Sequence, residues 1–322
     1  MRPLPYGPGG PVARCGGAPG LVRERVITAP RQTLGCRYMT AQTTTATTAA
    51  GERESRHAPL ILTVFGLYAR GEHNWLSVAS VISLMADLGV ESRAVRSSVS
   101  RMKRRDVLRG ERHEGLAGYS LADSTLQTLA EGDVRIFRQA RASREDGWVL
   151  VVFSVPESER EKRHALRTTL TRLGFGTAAA GVWIAPGHLA AETRRTLERR
   201  ELAAYVDIFT GDHFGFGDLR EKVRSWWDLD ELTALYADFL DRYRPVLDAV
   251  TRHEPPPLEA FRTYAPMLTQ WRRMPYRDPG LPLELLPEEW NGVAAGELFH
   301  RLHDLLSAPA AAHAAEVFHT QP

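Results

Sequence analysis

The sequence predicts an α+β multidomain fold: an N-terminal winged helix, a middle ferredoxin-like domain and a C-terminal mostly helical domain. Three observations predict it. Helical apolar spacing over residues 58–105 gives way to two short strand-like runs. Residues 148–209 then read as strand, helix, two strands, helix, strand, and from residue 229 apolar residues again recur every three or four positions, interrupted by prolines. With 322 residues and 43% hydrophobic content, the chain is long enough for two or three cores.

The expected organisation is a disordered leader over 1–57, a winged helix over 58–140, a middle domain over 147–228, a helical domain over 229–307 and a tail over 308–322. The leader combines Pro3, Pro5, Pro8, Gly9, Gly10, Gly16 and Gly17 with a Thr-rich run at 43–48 and lacks any sustained hydrophobic period. Met39 precedes a short polar stretch that leads into the first apolar segment, which predicts a translation start there. No apolar run approaches the ~20 residues of a bilayer helix, and the N-terminus lacks a secretory apolar core, so a cytoplasmic protein without membrane contact is expected. Both cysteines, Cys15 and Cys36, lie in the leader, which excludes a disulfide framework or a thiolate zinc site beyond residue 57.

The first helix begins at Pro59, carries Leu60, Val64, Leu67 and Tyr68, and is expected to stop at Gly71. A second starts near Ser77 and presents Val78, Val81, Ile82 and Met85 before Gly89. In a third, over 92–105, Val95, Val99 and Met102 gather on one narrow face at 100° per residue. Strands over 107–112 and 118–121, joined by the segment 113–117, complete the winged-helix order, and a helix over 124–138 follows.

The middle domain is expected to contain a strand over 148–155, a helix opened by Ser158 with Glu161 three residues on, strands over 175–180 and 182–185, a second helix, and a strand over 205–209. The C-terminal region opens with an amphipathic helix over 230–250, whose stripe from Leu232 to Val250 predicts dimer or interdomain packing. Pro255, Pro256 and Pro257 end it. A helix carrying Phe261, Tyr264, Leu268 and Trp271 comes next, then a proline-stiffened segment over 275–287 and a closing helix over 293–306.

Charge is not evenly spread. The whole chain holds 41 Lys and Arg against 39 Asp and Glu, net +2, yet residues 93–112 hold eight basic residues against two acidic ones, net +6. On the polar face of the third helix, Arg93, Arg96, Ser97 and Ser100 are expected to read bases in a major groove, flanked by Arg101 and Lys103. Arg104, Arg109, Arg112 and His113 are better placed for phosphates, which orient a protein on the duplex without specifying sequence. The bland alternative is a merely solvated basic face.

Five stretches stand out: LILTVFGLYAR (60–70), VRSSVSRMKRRDVL (95–108), LGFGTAAAGVWIAPG (173–187), SWWDL (225–229) and RRMPYRDPGLPLELLPEEWNG (272–292). In them, from about residue 58 to about 306, the chain resembles the PaaX-type repressors of phenylacetate catabolism. The last stretch is the most specific. What the resemblance implies is a homodimeric repressor on double-stranded operator DNA, released when an aryl-coenzyme A thioester such as phenylacetyl-CoA binds, with no resident cofactor. The middle domain is also similar to small nuclease-like proteins of CRISPR adaptation, which carry a metal-binding aspartate at the end of their first strand. Here that strand ends Val152-Phe153-Ser154, without the carboxylate.

Several residues are candidates for an effector site, each with a plainer reading beside it. His213 lies in the Gly-rich segment 211–217, a strand-to-helix loop that resembles a phosphate cradle but matches neither dinucleotide nor P-loop spacing, and such segments are commonly just tight loops. Arg272, Arg273 and Tyr276 suit an anionic ligand with an aromatic part, or an interdomain salt-bridge cluster with Asp278, Glu284, Glu288 and Glu289. Trp183 reads as a pocket wall or as core. His300, His303 and Asp304 lack an identifiable further ligand for zinc.

No nucleophile motif stands in the folded region, so the reading is an effector-controlled repressor and not an enzyme. The alternatives are a metal-dependent nuclease built on the ferredoxin-like domain and a scaffold whose basic helix binds an acidic protein.

Overall fold

A computed structural model describes residues 57–71, 73–138 and 141–320. Apart from His57, the expected leader lies outside the described residues, as does the start at Met39. The described chain is α+β, with two small sheets and a helical C-terminal region.

Helix α1 (Ala58–Val64) opens with proline in its first turn and passes into a π-helical turn, Phe65–Ala69. Helix α2 (Val78–Asp87) is capped by Ser77, whose Oγ accepts from the Ser80 N–H at 2.9 Å. Gly89, at φ +75°, allows the reversal into α3 (Ser92–Arg104). Strand β1 (Trp75–Ser77), absent from the sequence expectations, joins β2 (Leu108–His113) and β3 (Leu116–Leu121) in an antiparallel sheet of order β1-β3-β2.

The β2–β3 connection is tighter than the expected 113–117. His113 pairs with Leu116, leaving Glu114 and Gly115 at φ +52° and +86°, the two left-handed residues of a type I′ hairpin turn. Gly118, at the centre of the sheet, lets β1 approach: a Cβ there would lie 2.2 Å from the Trp75 ring and 2.4 Å from the Leu76 carbonyl oxygen. Helix α4 (Asp123–Phe137) follows, tied back to the end of α1 by a bidentate pair between Arg70 and Asp133 at 2.6 and 3.2 Å.

The second sheet contains β4 (Trp148–Phe153), β5 (Gly176–Ala179), β6 (Val182–Pro186) and β7 (Val206–Gly211) in the order β5-β6-β4-β7, with all neighbours antiparallel. Strand β4 ends two residues earlier than expected, and the last strand lies slightly later. Ser158 falls in a single 3-10 turn, Glu157–Glu159, so α5 runs over Arg160–Arg172 and not from Ser158. Helix α6 is Ala190–Arg199. Because strand side chains alternate, Val149 and Val151 meet Leu170, Leu173 and Leu189 on one face. Trp148 and Leu150 meet Leu281, Leu285 and helix α7 (Leu219–Trp226) on the other.

Helices α8 (Leu229–Arg252), α9 (Pro257–Trp271) and α10 (Gly292–Thr320) close the fold. The stripe Leu232, Tyr236, Phe239, Leu240, Tyr243 and Leu247 is buried within this chain, in the same apolar core as Ile61, Phe65, Leu84 and Val99 of the N-terminal helices. Residues separated by the whole middle region thus share one core. Helix α10 continues through Pro309 well beyond the expected stop near Leu306, because Ala310, Ala314 and Val317 remain buried and the Ala-rich run favours helix.

A buried carboxylate ties three segments together. Asp278, 4% exposed, accepts from the Tyr236 hydroxyl at 2.9 Å, the Gly280 N–H at 2.8 Å and Arg141 at 3.3 Å. Removing any one donor would leave a buried charge partly unsatisfied, so the 278–281 bend is held firmly.

Candidate functional site

Helix α3 directs its chemistry through its period. Val95, Ser98, Val99 and Met102 are buried, which fixes the rotation of the helix and turns the remaining positions outward. Arg93, Arg96, Ser100, Lys103 and Arg104 are exposed, and Ser97 and Arg101 are half-buried. Among the described residues Arg96 reaches only Ser92 Oγ, at 3.4 Å, and Arg101 donates to Ser97 Oγ at 3.4 Å. Among the described residues, no acidic side chain forms an ion pair with Arg93, Arg96 or Arg104. Arg101, Lys103 and Arg104 occupy the last turn, where the helix dipole favours cations.

The β2–β3 hairpin differs from expectation at one residue. Arg109 is held by two carboxylates, Asp123 at 2.8 Å and Asp106 at 3.5 Å, and these hydrogen bonds, Asp123 first, make it retain its proton more tightly. Any phosphate it contacts must compete with them. Arg112 is exposed and donates to the Gly115 carbonyl at 3.5 Å, so it remains available. His113 is 5.0 Å ring to ring from Trp75 and 3.5 Å from Glu111. Lys103 lies over the Tyr119 ring at 5.9 Å, which joins α3 to the hairpin strand β3.

The five effector candidates are not brought together. Trp183, 9% exposed, belongs to the core of the middle sheet and borders none of the described cavities. His213 is half-buried and edge-on to Trp226 at 6.0 Å. The helix after its loop, α7, is capped by Asp218, whose carboxylate accepts from the Arg220 N–H at 2.9 Å. That carboxylate occupies the position an anion would take. Arg272 donates to the Pro59 carbonyl at 2.9 Å, and burial lowers its hold on its proton. Arg273 is exposed. Only Tyr276 lines a cleft, with the Arg135 guanidinium over its ring at 5.8 Å. The proline-rich segment does carry ion pairs, but through Arg277 to Glu231, Arg141 to Asp278 and Arg144 to Glu284.

That cleft holds residues the sequence reading missed: Arg135, Arg138, Arg172, Arg195, Arg199 and Arg200. They come from three helices, so no spacing along the chain connects them. The paired arginines at 194–195 and 199–200 were visible, but beside Glu192 and Glu198 they look like any solvated helix face.

His303 Nδ1 lies 2.7 Å from the Tyr264 hydroxyl, and burial lowers its proton affinity. Among the described residues, no three His, Cys, Asp or Glu side chains converge as a metal set. Ser154, just beyond β4, is exposed, and its N–H donates to the Tyr205 carbonyl at 3.2 Å. None of the described helices is long and apolar enough to cross a membrane.

Fold and surface together define an α+β protein that presents an exposed, arginine-rich helix face beside a hairpin, with an arginine-lined cleft behind it. The chain belongs to the PaaX family. Three family descriptions match it in succession: PaaX-like protein over residues 56–125, PaaX protein central Cas2-like domain over 141–223, and PaaX-like protein C-terminal domain over 227–316. It is 27% identical over 267 residues to the transcriptional repressor PaaX of Escherichia coli (strain K12), covering 80% of this chain and 82% of that one. Among solved structures, it matches an uncharacterized protein from Mycobacterium tuberculosis at 22% identity and a TM-score of 0.47, over 80% of this chain and 96% of the other.

Proposed function

We propose that this chain is a sequence-selective DNA-binding transcriptional repressor, a regulator and not an enzyme. The observation that carries the reading is the outward face of α3, where Arg93, Arg96, Ser100 and Arg104 are exposed while Val95, Val99 and Met102 anchor the helix from behind. A helix about 10–12 Å across enters the major groove of B-DNA, where arginine pairs with guanine bidentately. Helices α1 to α3 with the β2–β3 hairpin and β1 supply the element order of a winged helix, in which α3 is the recognition helix. Arg96, Arg93, Ser97 and Ser100 read bases, and Arg104 and Arg112 contact phosphates.

The middle domain is ferredoxin-like on this reading, supported by its strand order β5-β6-β4-β7 with α5 and α6 as crossovers. The protein works in the cytoplasm as a homodimer, two copies of α3 meeting two half-sites of one operator. An aryl-coenzyme A thioester such as phenylacetyl-CoA, bound more tightly by an arrangement unfit for the operator, releases it. Support for the repressor reading comes from the similarity to the transcriptional repressor PaaX of Escherichia coli.

Gel retardation with DNA tiled across the chromosomal neighbourhood of its own gene tests this. The reading expects one or a few fragments to be retarded at moderate salt against scrambled competitor, and phenylacetyl-CoA to reverse the retardation. Equal retardation of scrambled DNA, or none at all, contradicts it.

A further inference from the structure

We propose that the cleft between α4, α5, α6 and residues 275–279 is a binding site for a small organic ligand carrying two or more phosphate groups. The cleft has two adjoining lobes of about 280 and 340 Å³, which share Glu131, Arg135, Glu192, Thr196 and Arg199 as walls. Each is near the lower end of the size range of ligand pockets.

Its charge is lopsided. Six arginines line the two lobes against three carboxylates, Glu131, Glu192 and Asp278. Asp278 is already committed to Tyr236, Arg141 and the Gly280 N–H. Glu131 holds Arg199 through both oxygens, and Glu192 lies 3.6 Å from Arg135, which also donates to the carbonyls of Arg172 and Leu173 at 2.7 and 2.9 Å. Among the described residues, Arg138, Arg172, Arg195 and Arg200 have no acidic partner. Burial, and then the neighbouring charges of Arg172 and Arg199, lower the proton affinity of Arg200, and Glu131 offsets this only in part.

Guanidinium forks match the oxygens of phosphate as they do those of carboxylate, and several forks converging on one concavity suit a ligand with clustered phosphates, whose charge is greater. The cleft also offers apolar walls for an organic portion, in Val134 at 62% exposure, Pro275, Pro279 and the Tyr276 ring. His188, in the same wall, has a buried Nδ1 without a hydrogen-bond partner among the described residues, a polar atom that a ligand hydroxyl or amide would satisfy, and burial lowers its proton affinity.

Occupancy has a direct structural consequence. The ion pairs Arg199–Glu131 and Arg135–Glu192 are struts between α4 and α6, and a phosphorylated ligand competes with both glutamates for those arginines. Helix α4 begins at Asp123, which holds Arg109 on wing strand β2. One helix therefore spans the distance from the cleft to the proposed DNA surface. The regulatory half of the inference rests on the repressor reading; the ligand site does not.

Isothermal titration of the full chain with coenzyme A, with inorganic pyrophosphate and with adenosine tests it. Coenzyme A and pyrophosphate are expected to bind and adenosine is not. Arg138→Gln with Arg195→Gln, both at exposed positions, should weaken coenzyme A binding at least about tenfold with the melting temperature retained. Arg244→Gln, on an exposed face of α8, should leave binding unchanged. Glu131→Gln removes a competing carboxylate and should tighten it, a gain that no misfolded variant produces. Unchanged affinity in the double variant, or adenosine binding as well as coenzyme A, overturns the site. If operator DNA is retained selectively while neither phosphate probe binds, the site falls and the repressor reading stands. If the probes bind as described while no DNA is selected, the reverse holds.

Discussion

Truncating Trp271 to alanine is expected to destabilise the chain by about 3–5 kcal/mol. The indole is 1% exposed and stacks on Phe299 with ring centroids 4.5 Å apart and planes 10° from parallel, with Phe239 at 5.2 Å. Its Nε1–H donates to the Ile136 carbonyl at 3.1 Å, so one side chain fastens α9 to α10, α8 and the end of α4. Alanine would leave a cavity at the junction of the N-terminal and C-terminal helices and an unsatisfied buried carbonyl. Trp271→Phe keeps much of the ring contact and loses the hydrogen bond and part of the ring volume, at about 1–3 kcal/mol, less than alanine. Urea titration followed by circular dichroism measures both. A loss under about 1 kcal/mol for the alanine variant would mean that the shared core is not cooperative.

Replacing Arg96 by alanine is expected to weaken binding to the selected DNA by about 1–3 kcal/mol and to relax preference at one base pair. Arg96 sits in mid-helix on the exposed face of α3, and among the described residues its one hydrogen bond is a 3.4 Å contact to Ser92, so little there holds it away from a base. Competition against every single-base variant of the retarded fragment distinguishes two roles. Loss confined to one position identifies a base reader. Uniform weakening across all variants assigns Arg96 to the phosphate backbone instead.

The orientation of α3 was legible because it depends on a local period: Val95, Val99 and Met102 lie four and three residues apart, and that spacing alone settles which face is buried. Ser77 and Gly89 were legible for the same reason, since caps act within a few residues. Strand β1 was not. Three residues carry no period, and Trp75–Ser77 is a strand only because Gly118 on β3 has no side chain to block it. The extension of α10 past Pro309 depends on burial against distant helices, which outweighs the preference of proline for a helix end.

Long-range partners explain the remaining differences at the site. Arg109 looked like a free phosphate ligand until the fold brought Asp123, fourteen residues away, to within 2.8 Å. Tyr276 was singled out beside Arg272 and Arg273, yet its cleft neighbours are Gly132 and Arg135 of α4 and arginines of α5 and α6. The stripe of α8 was recognisable as needing a cover, but its period could not tell a second copy from helices α9 and α10 of the same chain.

The salt dependence of binding to the selected fragment tests most directly whether the α3 face meets a duplex. If it does, log affinity falls linearly with log salt, and Arg104→Ala makes the slope shallower by about one. An affinity indifferent to salt, or a slope that the loss of Arg104 leaves untouched, would contradict it.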